Sequence, residues 1–264
     1  MRRTRTVEAF HVPSGRRRET VVVEEPLEIR LNDVPIAVTM RTPGHDLELA
    51  LGFLITEGVL RDLSAVKCVV HCADDENVVD VRTADAAAGV HAPAAGSRAL
   101  HAYAGCGVCG KATIEAVYVR TASLENDGAR IQASALLEFP SKLRQHQTVF
   151  DATGALHAAG LFDAAGEPAC VREDVGRHNA VDKLVGWAAM RDLLPLTGSV
   201  LMLSGRCGFE LVQKALVAGI PIVASISGPS SLAIDLARAS GMTLACFVRG
   251  SSMSICSREE RIVA

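Results

Sequence analysis

The sequence has little net charge and lacks any long apolar run. Its 264 residues carry a formal net charge of -3 at pH 7, so there is no global basic field that would attract nucleic acid. No segment approaches the apolar length needed to span a bilayer. Arg2 and Arg3 precede no apolar export region, since the next apolar run is only Val21–Val23. We therefore expect a cytoplasmic protein without nucleic-acid or membrane partners.

A secretory pattern is also lacking, which changes how the cysteines are interpreted. A chain of this size does not need disulfide bonds for stability, so we expect reduced thiols. The single basic cluster, Arg16–Arg18, lies in a polar N-terminal segment that we interpret as a solvated tail. The eight cysteines are Cys68, Cys72, Cys106, Cys109, Cys170, Cys207, Cys246 and Cys256.

One close pair of thiols stands out among these cysteines. Cys106 and Cys109 form the only Cys-x-x-Cys of the chain, and three glycines surround them. The preceding residues, 84–104, are rich in Ala, Gly and His and have neither strand nor helix periodicity. We therefore expect both thiols on a mobile loop, at about 84–110, where they are accessible.

The two halves of the chain have different patterns. Val21–Met40 reads as a hairpin with a turn at Asn32-Asp33, and Asp46–Glu57 has helical spacing. After residue 126, apolar runs that end near Leu203, Ile226 and Val248 alternate with amphipathic helices, which indicates parallel β-α-β packing. The sequence predicts an α/β protein with a β-rich N-terminal domain, 1–125, and an α/β cofactor-binding domain, 126–264.

Ligands of parallel α/β sheets bind beyond the carboxyl ends of the strands. Here the residues that follow three predicted strands, 204–206, 227–231 and 249–252, are small, hydroxylated or basic, which suits a phosphorylated ligand. Each of these segments alone is an ordinary turn. A dense polar run, Arg172–Asn179, follows another strand, whereas His157 reads as a buried core histidine. The candidate pocket residues are Arg172, Asp174, His178, Ser204 and Arg206.

The chemistry of Cys106 and Cys109 has three interpretations. Together with Cys68, His71 and Cys72 they could hold zinc. A dithiol oxidoreductase is the second, but its Cys-x-x-Cys usually follows a strand directly. Sulfur transfer through a persulfide is the third, and it needs an accessible thiolate on a flexible carrier.

Several groups of segments share their order and spacing with one protein family from about Pro26 to Arg249. They are Cys106–Gly110; Arg172–Lys183; Ser204–Arg206 with Gln213–Ala215 and Ala218–Pro221; Ser231–Ala237; and Phe247–Gly250. On these segments the chain resembles the FdhD family of sulfurtransferases, which are required for formate dehydrogenase activity. The Arg172–Asn179 run is far more specific than the cysteine pair.

The resemblance implies a function. A cysteine desulfurase would load Cys106 with sulfur as a persulfide, Cys109 would assist, and the sulfur would pass to the molybdenum or tungsten bis(pterin guanine dinucleotide) cofactor of formate dehydrogenase. A cofactor-binding chaperone with structural or zinc-binding cysteines is the alternative. The residues that would bind this cofactor as substrate are Phe247, Val248, Arg249, Gly250, Ser251 and Ser252.

The resemblance also implies a cytidine-deaminase-like fold and a homodimer without a permanent metal. The deaminase zinc signature is absent from the sequence, so deamination is not expected. Cys207 and Cys256 depart from the residues that the family usually has at these positions.

Overall fold

The structure, a computed structural model, describes residues 1–84 and 123–264, which form two large β-sheets, two two-stranded sheets (β1-β2 and β7-β14) and six α-helices. The helices are α1 Asp46–Thr56, α2 Ala133–Gln145, α3 Thr148–Thr153, α4 Arg177–Ala189, α5 Phe209–Val217 and α6 Ser231–Ser240. The strands of the first half are β1 Thr4–His11, β2 Gly15–Val22, β3 Glu25–Leu31, β4 Val34–Arg41, β5 Val66–Cys72 and β6 Asp75–Thr83. Those of the second half are β7 Ile131–Gln132, β8 His157–Phe162, β9 Pro168–Asp174, β10 Val200–Leu203, β11 Ile222–Ser225, β12 Thr243–Arg249, β13 Ser252–Ser257 and β14 Ile262–Val263. No helix within these two ranges is long and apolar enough to cross a membrane.

The N-terminal sheet has four strands in the order β4-β3-β6-β5. Strands β3 and β4 form the predicted hairpin, and its two-residue turn has positive φ at Asn32 (52°) and Asp33 (64°). This is the backbone of a type I′ turn, which matches the twist of the flanking strands. The apolar residues Leu27, Ile29 and Leu31 alternate along β3 and are buried, so the β-rich character predicted for this half is confirmed.

The prediction for the extreme N-terminus was wrong. Arg16–Arg18 do not lie in a solvated tail but in β2, which pairs antiparallel with β1 over all eight residues of each strand. The three arginines are nevertheless exposed. Alternating polarity is weak in this segment, so no periodic strand pattern outweighs its polar composition.

The second sheet has six strands in the order β13-β12-β11-β10-β8-β9. Strands β10, β11 and β12 are parallel, as their continuous apolar runs predicted. Strands β8, β9 and β13 join antiparallel, so the sheet is mixed rather than wholly parallel. The α/β class is confirmed, and the likeness to cytidine deaminases stays a prediction.

Helices α1 and α4 cross at two glycines and connect the two sheets. A Cβ atom on Gly52 of α1 would lie 1.8 Å from the Asp182 carbonyl oxygen, and one on Gly186 of α4 would lie 1.8 Å from the Glu48 carbonyl oxygen. Only glycine allows the two helix backbones to approach so closely. Helix α1 packs on the first sheet and α4 on the second.

One hydrophobic core extends across both halves of the chain. It contains apolar residues of β3, β6 and α1 as well as of α4, α5 and the second sheet. A smaller cluster on the other face of the second sheet is built by Leu136, Phe139 and Leu143 of α2. The two halves of the chain share this core. The division into domains at residues 125 and 126 stays a prediction.

A buried ion cluster reinforces the helix crossing. Lys214 of α5 donates to Asp182 of α4 at 2.9 and 3.1 Å and to Glu57 at 2.9 Å, and it also donates to the Thr56 hydroxyl at 2.8 Å. Burial raises the pKa of Asp182, although Lys214 opposes this. The single lysine therefore donates to three oxygen-bearing side chains at once, and Asp182 also accepts the Thr56 hydroxyl at 2.7 Å.

Candidate functional site

The carboxyl edge of the second sheet, where β9 to β12 end, collects most of the predicted ligand-binding segments. Parallel pairing brings Ser204, which follows β10, and Ile226, which follows β11, to the same side. Strand β8 runs the other way, so its first residue, His157, pairs with Asp174 at the end of β9 and also lies at this edge. The register therefore places the segments that begin at Ser204, Ser227 and Asp174 along one edge.

A cavity of about 520 Å³ opens at this carboxyl edge. The ends of the strands contribute His157, Ser204 and Ile226 to its wall. The Ser204 hydroxyl accepts the Ala158 N–H at 2.8 Å, which fixes the loop after β10 against β8. The opposite wall comes from α2, α3 and the adjoining turn, which contribute Arg144, Gln147 and Phe150.

His157 is not the buried core histidine that its sequence context favoured. It is the first residue of β8, half-buried, and its ring lies against Gly205, where an added Cβ would be 3.1 Å from Nδ1. Burial lowers its pKa, and the positive charges of Arg177, His178 and Arg206 lower it further. His157 is therefore a largely neutral imidazole at neutral pH, on the wall of a cavity bordered by cations.

Arg206 and His178 lie near this imidazole. Arg206 is exposed in the loop after β10, whereas His178 is buried in the first turn of α4. The His178 Nε2 atom is 3.9 Å from the Glu210 carboxylate, too far for a hydrogen bond. This interaction nevertheless is the largest cause that lowers the pKa of Glu210. Arg206 and His178 thus both border the region of His157.

Asp174 differs from the other predicted pocket residues because it is completely buried. Its carboxylate pairs with Lys183 at 2.7 Å and accepts the N–H groups of Thr42 and Gly176 and the Asn179 amide. All these partners belong to the protein. The structure therefore assigns Asp174 to the attachment of α4 to the loop after β4 and not to the wall of the cavity.

Arg172 also points away from the cavity. Its guanidinium donates two hydrogen bonds to the Glu48 carboxylate of α1, at 2.6 and 2.8 Å. Burial opposes ionisation of Glu48, but the bonds from Arg172 and His45 prevail and lower its pKa to about 2. The polar run 172–179 is thus mainly a structural network, and the sequence could not distinguish this from a pocket because both need the same residue types.

The predicted cofactor-binding segment, Phe247–Ser252, forms the end of β12 and the turn to β13 at the same edge. Phe247 has a φ of 54° and is 40% exposed, and its ring covers Gly228 so closely that an added Cβ would be 2.8 Å from Cζ. The Arg249 guanidinium lies 5.6 Å from the centre of that ring. Val248 is fully buried, so it supports the segment from the core, whereas Arg249, Gly250, Ser251 and Ser252 are exposed.

The cysteines divide into two groups. Cys106 and Cys109, the predicted catalytic pair, lie outside the described residues. The six others are free thiols, as expected for a reduced protein. Burial raises the pKa of Cys170 and of Cys246 to about 12, which makes both poor nucleophiles. Within 1–84 and 123–264, no group of three or more His, Cys, Asp or Glu residues could hold a metal ion.

The sequence did not predict the wall formed by Arg144, Gln147 and Phe150. Helix α3 has only six residues, too few to show periodicity, and the Glu173 carboxylate of β9 holds its start by accepting the N–H groups of Val149 and Phe150. This is a long-range contact without a local sequence signal.

Comparisons with known proteins agree with this architecture. The FdhD/NarQ family model matches residues 22–263. The chain is 49% identical over 273 residues to the "Sulfur carrier protein FdhD" of Mycobacterium tuberculosis, covering 99% of this chain and 97% of that protein. It is 50% identical over 256 residues to the protein of the same name from Streptomyces avermitilis, covering 93% and 90%.

A solved structure extends the likeness to three dimensions. It is described as "Crystal structure of a putative formate dehydrogenase accessory protein from Desulfotalea psychrophila" and has a TM-score of 0.75 with 25% identity, covering 98% of both chains. Sequence and fold thus match over nearly the whole length. The chain belongs to the FdhD/NarQ family.

Proposed function

We propose that this protein is a sulfur carrier that acts in the maturation of formate dehydrogenase in the cytoplasm. The observation that carries the proposal is the near-complete match to two proteins named sulfur carrier protein FdhD, at 49% and 50% identity. Among the described cysteines, few have a thiol that could serve this role. Because Cys170, Cys207 and Cys246 are buried with raised pKa values, they are poor candidates for exchange with a partner.

Cys106 is the proposed carrier. In the loading step, the Cys106 thiolate attacks the terminal sulfur of a persulfide on a cysteine desulfurase. A new S–S bond forms on Cys106, the S–S bond of the donor breaks, and the donor leaves as a thiolate. This exchange needs no external oxidant. Cys109, three residues away, assists by relaying the sulfur or by resolving the persulfide.

The cargo-receiving substrate is proposed to be the molybdenum or tungsten cofactor with two pterin guanine dinucleotides. Its phosphates would lie along the carboxyl edge, where Arg206 and Arg249 are exposed. Phe247 offers an exposed ring for a guanine base. This edge, with its cavity, supports the proposed binding of a phosphorylated ligand, and a homodimer remains part of the proposal.

Intact-mass measurement tests the carrier role. The protein is incubated with free cysteine and an active cysteine desulfurase, without reductant, alongside the variants Cys106→Ala and Cys256→Ala. Cys256 is the matched control because it is a partly exposed thiol outside the pair. We expect wild type and Cys256→Ala to gain one sulfur atom that reductant removes, and Cys106→Ala to gain none. If wild type gains no sulfur but binds guanine nucleotide, the protein is a cofactor chaperone instead.

A further inference from the structure

The N-terminal hairpin, β1 with β2, stands apart from both large sheets. It forms a two-stranded sheet of its own, and within residues 1–84 and 123–264 no third strand pairs with it. An isolated hairpin is marginally stable in water. This one packs through β2 against the short helix α3 and leaves its other face exposed. We call residues 1–22 the arm.

The arm carries a charge opposite to that of the rest of the chain. It contains six arginines and two glutamates, a net charge of +4, whereas the other residues contain 21 basic and 28 acidic residues, a net charge of -7. Arg16, Arg17 and Arg18 are exposed, and none of them has an ion-pair partner among the described residues. Their charges are therefore available to a partner.

The exposed face of the arm combines these charges with apolar side chains. Phe10 is 73% exposed and lies directly across from Arg16, and Val12 at the tip is 85% exposed. Side chains of paired residues share a face, so Phe10 and Arg16 are neighbours. Exposed aromatic rings next to arginines are the residues that interfaces favour most. The composition fits a protein surface that is acidic with an apolar patch.

The position of the arm relates it to the cavity at the carboxyl edge. The Arg3 guanidinium lies 3.9 Å from the Glu173 carboxylate, and this carboxylate holds the start of α3 through the N–H groups of Val149 and Phe150. Phe150 in turn lines the cavity. The arm itself therefore lies on α3, and a protein bound to the exposed face of the arm would be close to the α3 wall of the cavity.

We propose that the arm is the docking site for the enzyme that receives the cofactor, through an acidic patch on that enzyme. This rests on the proposed function, since the client is the partner that must reach the contents of the cavity. Nucleic acid and anionic membranes extend beyond the arm and would meet the body of the protein, whose charge of -7 repels them. A local acidic patch on a protein meets only the arm.

The test compares two triple variants of the full-length protein with equal change in charge. The first is Arg16→Glu/Arg17→Glu/Arg18→Glu in the arm, and the control reverses three exposed basic residues elsewhere, Arg61→Glu/Lys67→Glu/Arg130→Glu. Binding to purified, cofactor-free formate dehydrogenase is measured at low and high salt. We expect the dissociation constant to rise at least tenfold for the arm variant and less than twofold for the control, and the difference to shrink at high salt.

A second variant and a second readout keep the result interpretable. Phe10→Ser removes a ring that is 73% exposed, and it should raise the dissociation constant at least threefold. Sulfur loading of Cys106 by the desulfurase should be unchanged in all variants. Three outcomes would each overturn the proposal. The arm variant binds the enzyme as wild type does, or wild type does not bind the enzyme at all. The third is a loss that appears only in sulfur loading by the desulfurase, or only in binding to anionic vesicles or duplex DNA. The proposed function itself fails only if wild type gains no sulfur.

Discussion

The crossing of α1 and α4 and the carboxyl edge of the second sheet contain the same kinds of residue in opposite arrangements. At the crossing, the buried Lys214 is paired with Asp182, and the partly buried Arg172 is paired with Glu48. At the edge, Arg206 and Arg249 are exposed, and half-buried His157 has no hydrogen bond to another described side chain. The charged groups at the crossing thus bind one another, whereas groups at the edge remain available to bind a ligand.

This difference explains why a high density of polar residues in the sequence does not by itself identify a binding site. The run Arg172–Asn179 was the densest polar segment of the sequence, yet Arg172 and Asp174 serve the packing of α1 and α4. The residues that remain available are sparse and come from separate elements. Changes at the crossing should therefore reduce stability, and changes at the edge should reduce binding with little effect on stability.

The largest expected effect is that of Gly186→Ala. The added Cβ would lie 1.8 Å from the backbone oxygen of Glu48, and no side-chain rotation can relieve a contact with backbone. We expect a loss of more than about 4 kcal/mol in the free energy of unfolding, measured by urea denaturation. Gly128→Ala is the control, because nothing lies within 4 Å of its Cβ position. Equal stabilities of the two variants would show that the helices can separate easily.

Lys214→Met should have the second largest effect. It removes the ammonium group that donates to Asp182, Glu57 and Thr56 while keeping a side chain of similar length. We expect a loss of about 3 kcal/mol, because breaking a buried ion pair leaves uncompensated charge. Burial already raises the pKa of Asp182, so the loss should be smaller at pH 5 than at pH 8, as protonation neutralises that carboxyl. A loss independent of pH would contradict this explanation.

Glu48→Gln should have a smaller and pH-dependent effect. The folded pKa of Glu48 is about 2, below the ordinary value of 4.5, so its stabilisation is complete above pH 4.5 and is lost as the pH falls towards 2. At pH 7 we expect the variant to lose about 2 kcal/mol. Urea denaturation between pH 7 and pH 3 should show the two proteins converging. Glu138→Gln, on the surface, should behave like wild type throughout.

The sequence predicted those parts of the fold that have a local signal. The β3–β4 hairpin, helix α1 and the three parallel strands follow from periodicity and turn residues. Helix α3 depends on the Glu173 carboxylate, more than twenty residues away in sequence, so its placement could not be predicted. For the site, the strand ends were predicted correctly in position, but the half-buried state of His157 follows from its pairing with Asp174 across two strands.

Phe247→Ala should have the smallest effect on stability and a large effect on binding. The ring is 40% exposed and rests on Gly228, so we expect less than about 1 kcal/mol of lost stability. Stacking of a base on an aromatic ring contributes about 1–3 kcal/mol, so the affinity for GDP, measured by calorimetry, should fall at least about tenfold. Phe10→Ala, the matched change of an exposed phenylalanine in the arm, should leave GDP binding unchanged. If instead Phe247→Ala binds GDP normally and loses several kcal/mol of stability, the β12–β13 turn belongs with the crossing as a structural element, and the carboxyl edge binds its ligand elsewhere.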